Sequence, residues 1–110
     1  MTLSVTSEFW VKAYLTRLRV MNIPAFLTSR GDATAGAVLV KVNTLDGNAQ
    51  AFQRSYDTDG NRIWVPLSEG SDAEVEEALA RQRKYDPDIW IIEVEDKQGR
   101  SLLDQDGLSG

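Results

Sequence analysis

Two Asp-Gly steps, Asp46-Gly47 and Asp59-Gly60, cut the middle of this chain into three apolar-rich runs. Asp-Gly is a favoured occupant of a tight hairpin turn, because glycine adopts positive φ without a Cβ penalty. The runs Gly36–Leu45, Ala49–Tyr56 and Arg62–Leu67 are therefore expected to form a three-stranded antiparallel meander. Pro66 lacks an amide donor, which puts the third strand at a sheet edge or ends it there. Ala25–Ser29 can add a short strand. The second hairpin has two open registers. A two-residue turn sets Tyr56 against Ile63 and Arg54 against Val65. A three-residue turn sets Tyr56 against Arg62 and Arg54 against Trp64, where the guanidinium could stack on the indole.

The turn "YDTDGN" also resembles a calcium loop, because Asp57, Asp59 and Asn61 alternate around Gly60. An EF-hand needs Gly at its sixth position and a bidentate Glu at its twelfth. Counted from Asp57, those positions hold Arg62 and Ser68. Counted from Ser55, the twelfth is Pro66. Both registers fail at the residue that carries most of the affinity, so a hairpin tip is expected and no metal site.

Helices flank the meander. In Thr6–Asn22, Val11, Tyr14, Leu15, Leu18 and Met21 recur at helical spacing, with Thr6 or Ser7 to cap the start and Pro24 beyond the end. Trp10 and Arg17 share one flank of that stripe. In Asp72–Tyr85, Ser71 and Glu74 form a capping-box pattern. Acids crowd its first turn and Arg81, Arg83 and Lys84 its last, each complementing the helix dipole. Its apolar stripe is Val75, Ala78, Leu79 and Tyr85. The run Ile89–Glu95 follows, apolar on both faces over much of its length, as suits a central strand. The expected fold is α+β: an antiparallel sheet of four to five strands with two helices mainly on one face, in the order α-(β)-β-β-β-α-β. One domain spans residues 1–110, ordered from about 6 to 103, with a polar frayed tail from Leu102 onward and over 104–110.

The chain has no Cys and no His. That removes disulfides, thiolate and imidazole nucleophiles, and any ordinary zinc site. Acid–base chemistry would need a strongly shifted Asp, Glu, Lys or Tyr. No catalytic motif and no cofactor motif is present, and the balance favours a non-enzymatic role. "GDATAG" (Gly31–Gly36) lacks the Lys-Ser/Thr of a phosphate loop and precedes a strand, so a turn is expected. "RGD" at Arg30–Asp32 reads as a chance match in a turn. No secretory leader and no bilayer-length apolar run is seen, so a soluble cytoplasmic protein is expected.

The net charge is −5, but residues 1–68 hold seven bases and five acids, whereas residues 69–110 hold five bases and twelve acids. The acidic second half disfavours nucleic acid and anionic membranes as partners, and suits solubility or a basic protein surface. Asp86, Asp88, Glu93 and Asp96 cluster near both ends of the last strand, where paired carboxylates could run hydrolysis, but Asp86 and Asp88 are explained as turn residues. Glu93 falls inside a strand and needs a cationic partner, for which Arg54, Arg81 and Lys41 are candidates. Among the three tryptophans, Trp90 suits the core, while Trp10 and Trp64 are surface candidates. With Arg17 and Arg54 they could form an aromatic–cationic patch. The candidate site residues are thus Trp10, Arg17, Arg54, Trp64 and Glu93.

Three stretches, "GDATAGAVLVKV", "YDTDGNRIWVPL" and "ALARQRKYDPDIWIIEVEDKQGR", resemble the small bacterial proteins of the domain-of-unknown-function 1491 family. The resemblance runs from about Phe9 to Leu103. It implies a single-domain bacterial protein with no assigned activity, and carries over no catalytic residue. From the residues themselves, a protein-interaction module is the leading expectation, working through a Trp/Arg surface or a free sheet edge. The rivals are a small-ligand binder or enzyme with a Glu/Arg-lined pocket, and a homodimer paired through sheet edges. Monomer and homodimer both stay open.

Overall fold

The structure, a computed structural model, describes residues 5–105. In chain order the elements are α1 (Ser7–Val20), β1 (Ala25–Ser29), β2 (Val38–Asn43), β3 (Asn48–Tyr56), β4 (Arg62–Ser71), α2 (Asp72–Tyr85) and β5 (Trp90–Glu95). The expected α+β order is present, with β1 included. The five strands form one sheet in the order β1-β5-β2-β3-β4. β5 is an interior strand, inserted between β1 and β2. It runs antiparallel to β1 and parallel to β2, so the sheet is mixed rather than wholly antiparallel. The chain passes from edge strand β4 to β5 through α2, because β4 and β5 run in the same direction with β3 and β2 between them and a tight turn cannot join them.

The helices lie on opposite faces, not on one. Val38, Val40 and Val42 of β2 and Trp90, Ile92 and Val94 of β5 pack with Trp10, Val11, Tyr14 and Leu18 of α1. The alternate residues Leu39 and Ile91, with Ala49 and Ala51 of β3, pack with Val75 and Leu79 of α2. The reason lies in the strands: successive side chains point to opposite faces, and β2 and β5 are apolar on both. A single helical layer would leave one apolar face wet.

Local chemistry sets the helix ends. Thr6 caps α1 by accepting from the Phe9 amide at 3.2 Å. At the other end Asn22 takes φ 59°. The Ile23 amide donates to Leu18 O at 2.9 Å and the Asn22 amide to Arg19 O at 3.0 Å. These are the two bonds of a Schellman stop, with buried Ile23 and Leu18 as its apolar contact. Met21, expected in the core stripe, is thereby exposed, as is Tyr85 of α2. Ser71 caps α2 by accepting from the Glu74 amide at 3.2 Å.

The second hairpin takes the three-residue register: Tyr56 faces Arg62 and Arg54 faces Trp64. Gly60 takes φ 82° and its amide donates to Asp57 O at 3.1 Å. The Asp57 carboxylate accepts from the Asp59 and Asn61 amides, both at 2.9 Å, and so orders the turn itself. β4 continues past Pro66 to Ser71 at the sheet edge. A register shift leaves Leu67 as the extra residue between the pairs Phe52–Pro66 and Ala51–Ser68.

Residues 31–36 are a wedge between α1 and β5. The Ser7 and Glu8 amides donate to Thr34 O at 3.1 Å and Ala33 O at 2.9 Å. Ser7 Oγ donates to Gly36 O at 2.6 Å, and Trp90 Nε1 to Asp32 O at 2.7 Å. A Cβ on Gly31 or Gly36 would lie 2.2 or 2.4 Å from Asp88 O. Both glycines are thus set by close backbone approach. After β5, Tyr14 Oη donates to Ser101 O at 2.7 Å, and Leu102 and Leu103 join the α1-side core. The tail does not begin at Leu102, because these two leucines cover the sheet beside α1; residues 106–110 lie outside the described residues.

Candidate functional site

The β3–β4 register places Arg54 opposite Trp64, and α1 brings Trp10 against both. The Trp10 and Trp64 ring centroids are 5.4 Å apart, and Trp10 stacks on Tyr14 at 4.8 Å. The guanidinium carbon of Arg54 lies 5.3 Å from the Trp10 ring centroid. Trp10 is only 5% exposed. It is a core residue rather than a surface anchor, because the hairpin closes over it. Trp64 is half-buried and packs against the same core.

Arg54 is half-buried on this aromatic platform. Among the described residues no carboxylate pairs with it, and its Nη1 is sealed from solvent with no acceptor. Trp10 Nε1 is likewise buried and unpaired among the described residues. Burial, and then the like charge of Arg62, hold the Arg54 pKa below the ordinary value. Arg62 is its diagonal neighbour on the same face, since Arg54 pairs with Trp64 and Tyr56 with Arg62. Beside them Phe52, Trp64, Ser101, Leu103 and Asp104 line a hollow of about 250 Å³.

The other candidates lie elsewhere. Arg17 is exposed on α1 and lines a separate shallow groove with Phe9, Lys12, Ala13, Thr16 and Val20. Glu93 projects from the opposite face of the sheet. There Lys41 faces it across the parallel pair β2–β5. Lys41 Nζ lies 3.2 Å from Glu93, 2.6 Å from Asp72 and 2.5 Å from Glu76. Asn43 Nδ2 also donates to Glu93 at 3.4 Å. Burial acts to lower the Lys41 pKa, but hydrogen bonds to Asp72, Glu76 and Glu93 outweigh it and hold the ammonium above its ordinary value. Three carboxylates from β5 and α2 thus converge on one ammonium.

Of the three partners proposed for Glu93, the structure supplies Lys41. The sequence reading missed Asp72 and Glu76, although their spacing of four puts them on one helix face. It missed Arg62 as the neighbour of Arg54, a pairing that depends on the hairpin register. The remaining carboxylates act locally. Asp86 accepts from the Asp88 amide at 3.0 Å, and Asp96 takes the Arg100 amide at 2.8 Å and its side chain at 2.9 and 3.1 Å. No group of three or more metal-ligating side chains is formed among the described residues, and no described helix is long and apolar enough to cross a membrane.

Comparison with known proteins agrees with the fold. A DUF1491 family protein from Caulobacter crescentus CB15 is 34% identical in its crystal structure, with a TM-score of 0.84 over 92% of this chain and 96% of that one. An NMR structure of a DUF1491 family protein from the same organism gives 33% identity and a TM-score of 0.81, covering 94% and 96%. The solution structure of protein Atu0922 from A. tumefaciens shares the fold at 24% identity and a TM-score of 0.71, covering 84% and 86%. No curated protein matches the chain. The model of the DUF1491 family of proteins of unknown function matches residues 5–104, and this chain is a member of that family.

Proposed function

We propose that the chain is a cytoplasmic, non-enzymatic protein-interaction module, and that a partner docks on the α1 side of the β3–β4 hairpin. The observation that carries this reading is Arg54: a half-buried cation on an aromatic platform, with no counter-charge among the described residues. A buried charge left unpaired opposes folding. Its presence suits a site that is completed by something outside the chain. Arg54 and Glu93 project from opposite faces of the sheet, so these two side chains do not share a pocket.

Capture of partners by the tagged chain in its native host, read by mass spectrometry, tests the reading. A partner retained by the wild type and lost with Arg54→Met supports it. Recovery of no partner above an untagged control counts against it.

One observation favours a second reading, a homodimer through sheet edges. β1 is an uncharged edge strand with Phe26 and Leu27 exposed, whereas the other edge, β4, is interrupted by Pro66 and its bulge. Sedimentation equilibrium decides it: a monomer at all concentrations removes this reading.

A further inference from the structure

Resting on the interaction-module reading, we infer that the hairpin site takes a partner segment in which an acidic residue adjoins an apolar one. The carboxylate sits on Arg54 and the apolar side chain enters the neighbouring hollow.

The charge argument is local. The chain is net negative, yet Arg54 and Arg62 lie side by side with no carboxylate paired to either among the described residues. Two adjacent cations without a paired carboxylate attract an acid to this place. Trp10 lies against the guanidinium and restrains it. The Arg54 Nη1 is sealed, so the donors open to a carboxylate are Nε and Nη2, and this restrained planar edge matches a carboxylate at a smaller entropic cost than a lysine would.

The hollow fixes the rest of the ligand. Its walls include Phe52, Trp64 and Leu103, so it suits an apolar side chain. Asp104 also lines it and would repel an acid placed there. The order is therefore acid over Arg54 and apolar group in the hollow, not the reverse. At the hairpin tip the Asp57 carboxylate is occupied by the backbone amides of its own turn, and Asp59 forms no ion pair with Arg54 among the described residues.

The test uses the full-length ¹⁵N-labelled chain titrated at millimolar concentration with the capped dipeptides Glu-Leu, Gln-Leu and Glu-Ser, and with inorganic phosphate. The Trp10 and Trp64 indole signals and the Arg54 Nε–H signal are followed by NMR. Glu-Leu is expected to shift them and to bind about tenfold more tightly than Gln-Leu, the scale of one charge-assisted hydrogen-bonded pair. Glu-Ser is expected to bind more weakly, for want of the apolar contact. Arg54→Met should abolish the response, and the surface variant Arg62→Ser should weaken it while leaving the fold intact. Equal binding of Gln-Leu, tighter binding of phosphate, an unchanged response in Arg54→Met, or no response to Glu-Leu would each overturn the inference. A native partner that survives Arg54→Met but is lost with Trp64→Ala would overturn the acid-recognition inference alone. Peptide binding without any native partner would instead remove the interaction-module reading.

Discussion

Lys41 Nζ and Glu93 Oε1 lie 3.2 Å apart across the one parallel strand pair of the sheet. The same ammonium reaches Asp72 and Glu76 on α2, so one side chain ties β2, β5 and the crossover helix together. Lys41 is 2% exposed, and Asp72 and Glu76 are much more so. Lys41→Met would leave the three carboxylates to repel one another. A destabilisation of about 2–4 kcal/mol is expected from the loss of a buried ion-pair partner. Glu93→Gln keeps the other two acids and should cost about 1 kcal/mol. Urea denaturation of both variants measures the difference, and equal losses would show that the clamp does not centre on Lys41.

The wedge of residues 31–36 predicts an order among glycine substitutions. Gly31→Ala and Gly36→Ala drive a Cβ into the Asp88 carbonyl and should cost about 3 kcal/mol each, as overpacking does. Gly47 and Gly60 have positive φ but open space around them. Alanine there should cost about 1 kcal/mol, from backbone conformation alone. Thermal denaturation of the four variants would reverse this order if the hairpin turns, rather than the wedge, limited stability.

Stability should fall in strong alkali. Burial raises the Tyr14 pKa, and the carboxylates raise that of Lys41. For a raised pKa the unfolded chain loses its proton first, so the stabilisation is complete below about pH 10 and is lost as pH climbs toward the folded-state value. Tyr14→Phe removes one of these groups. It should lower stability by about 1 kcal/mol at neutral pH, through the lost bond to Ser101 O, and make the alkaline limb shallower. Urea midpoints measured from pH 8 to 11 would show parallel limbs if Tyr14 did not contribute.

Arg54 predicts the opposite sign. Its charge is half-buried beside Arg62 without a counter-ion among the described residues, and the stacking on Trp10 offsets only part of that cost. Arg54→Met should be neutral or should raise stability by up to about 1 kcal/mol, as is common where a residue serves binding rather than folding. A loss greater than about 1 kcal/mol, by denaturant midpoint, would instead make Arg54 a structural residue.

Much of this molecule was legible in local chemistry. The two Asp-Gly steps marked both hairpins, Ser71 with Glu74 marked the start of α2, and the run Ile89–Glu95 announced an interior strand. Each rests on residues within a turn or two of one another, where backbone preference and hydrogen bonding act without help from the fold. The mid-strand Glu93 also announced its need for a cation, since a carboxylate among apolar neighbours is costly wherever the chain places it.

What lay beyond the sequence was everything that depends on distant segments meeting. The opposite placement of the helices, the parallel β2–β5 pair and the burial of Leu102 and Leu103 follow from how a five-stranded sheet must be covered on both faces. The same holds at the site. Periodicity placed Trp10 on the flank of α1, but the hairpin register decided that Arg54 would lie over it and that Arg62 would stand beside it. A strand register is a choice among near-equal local options, and only the packing of one whole face against α1 selects between them.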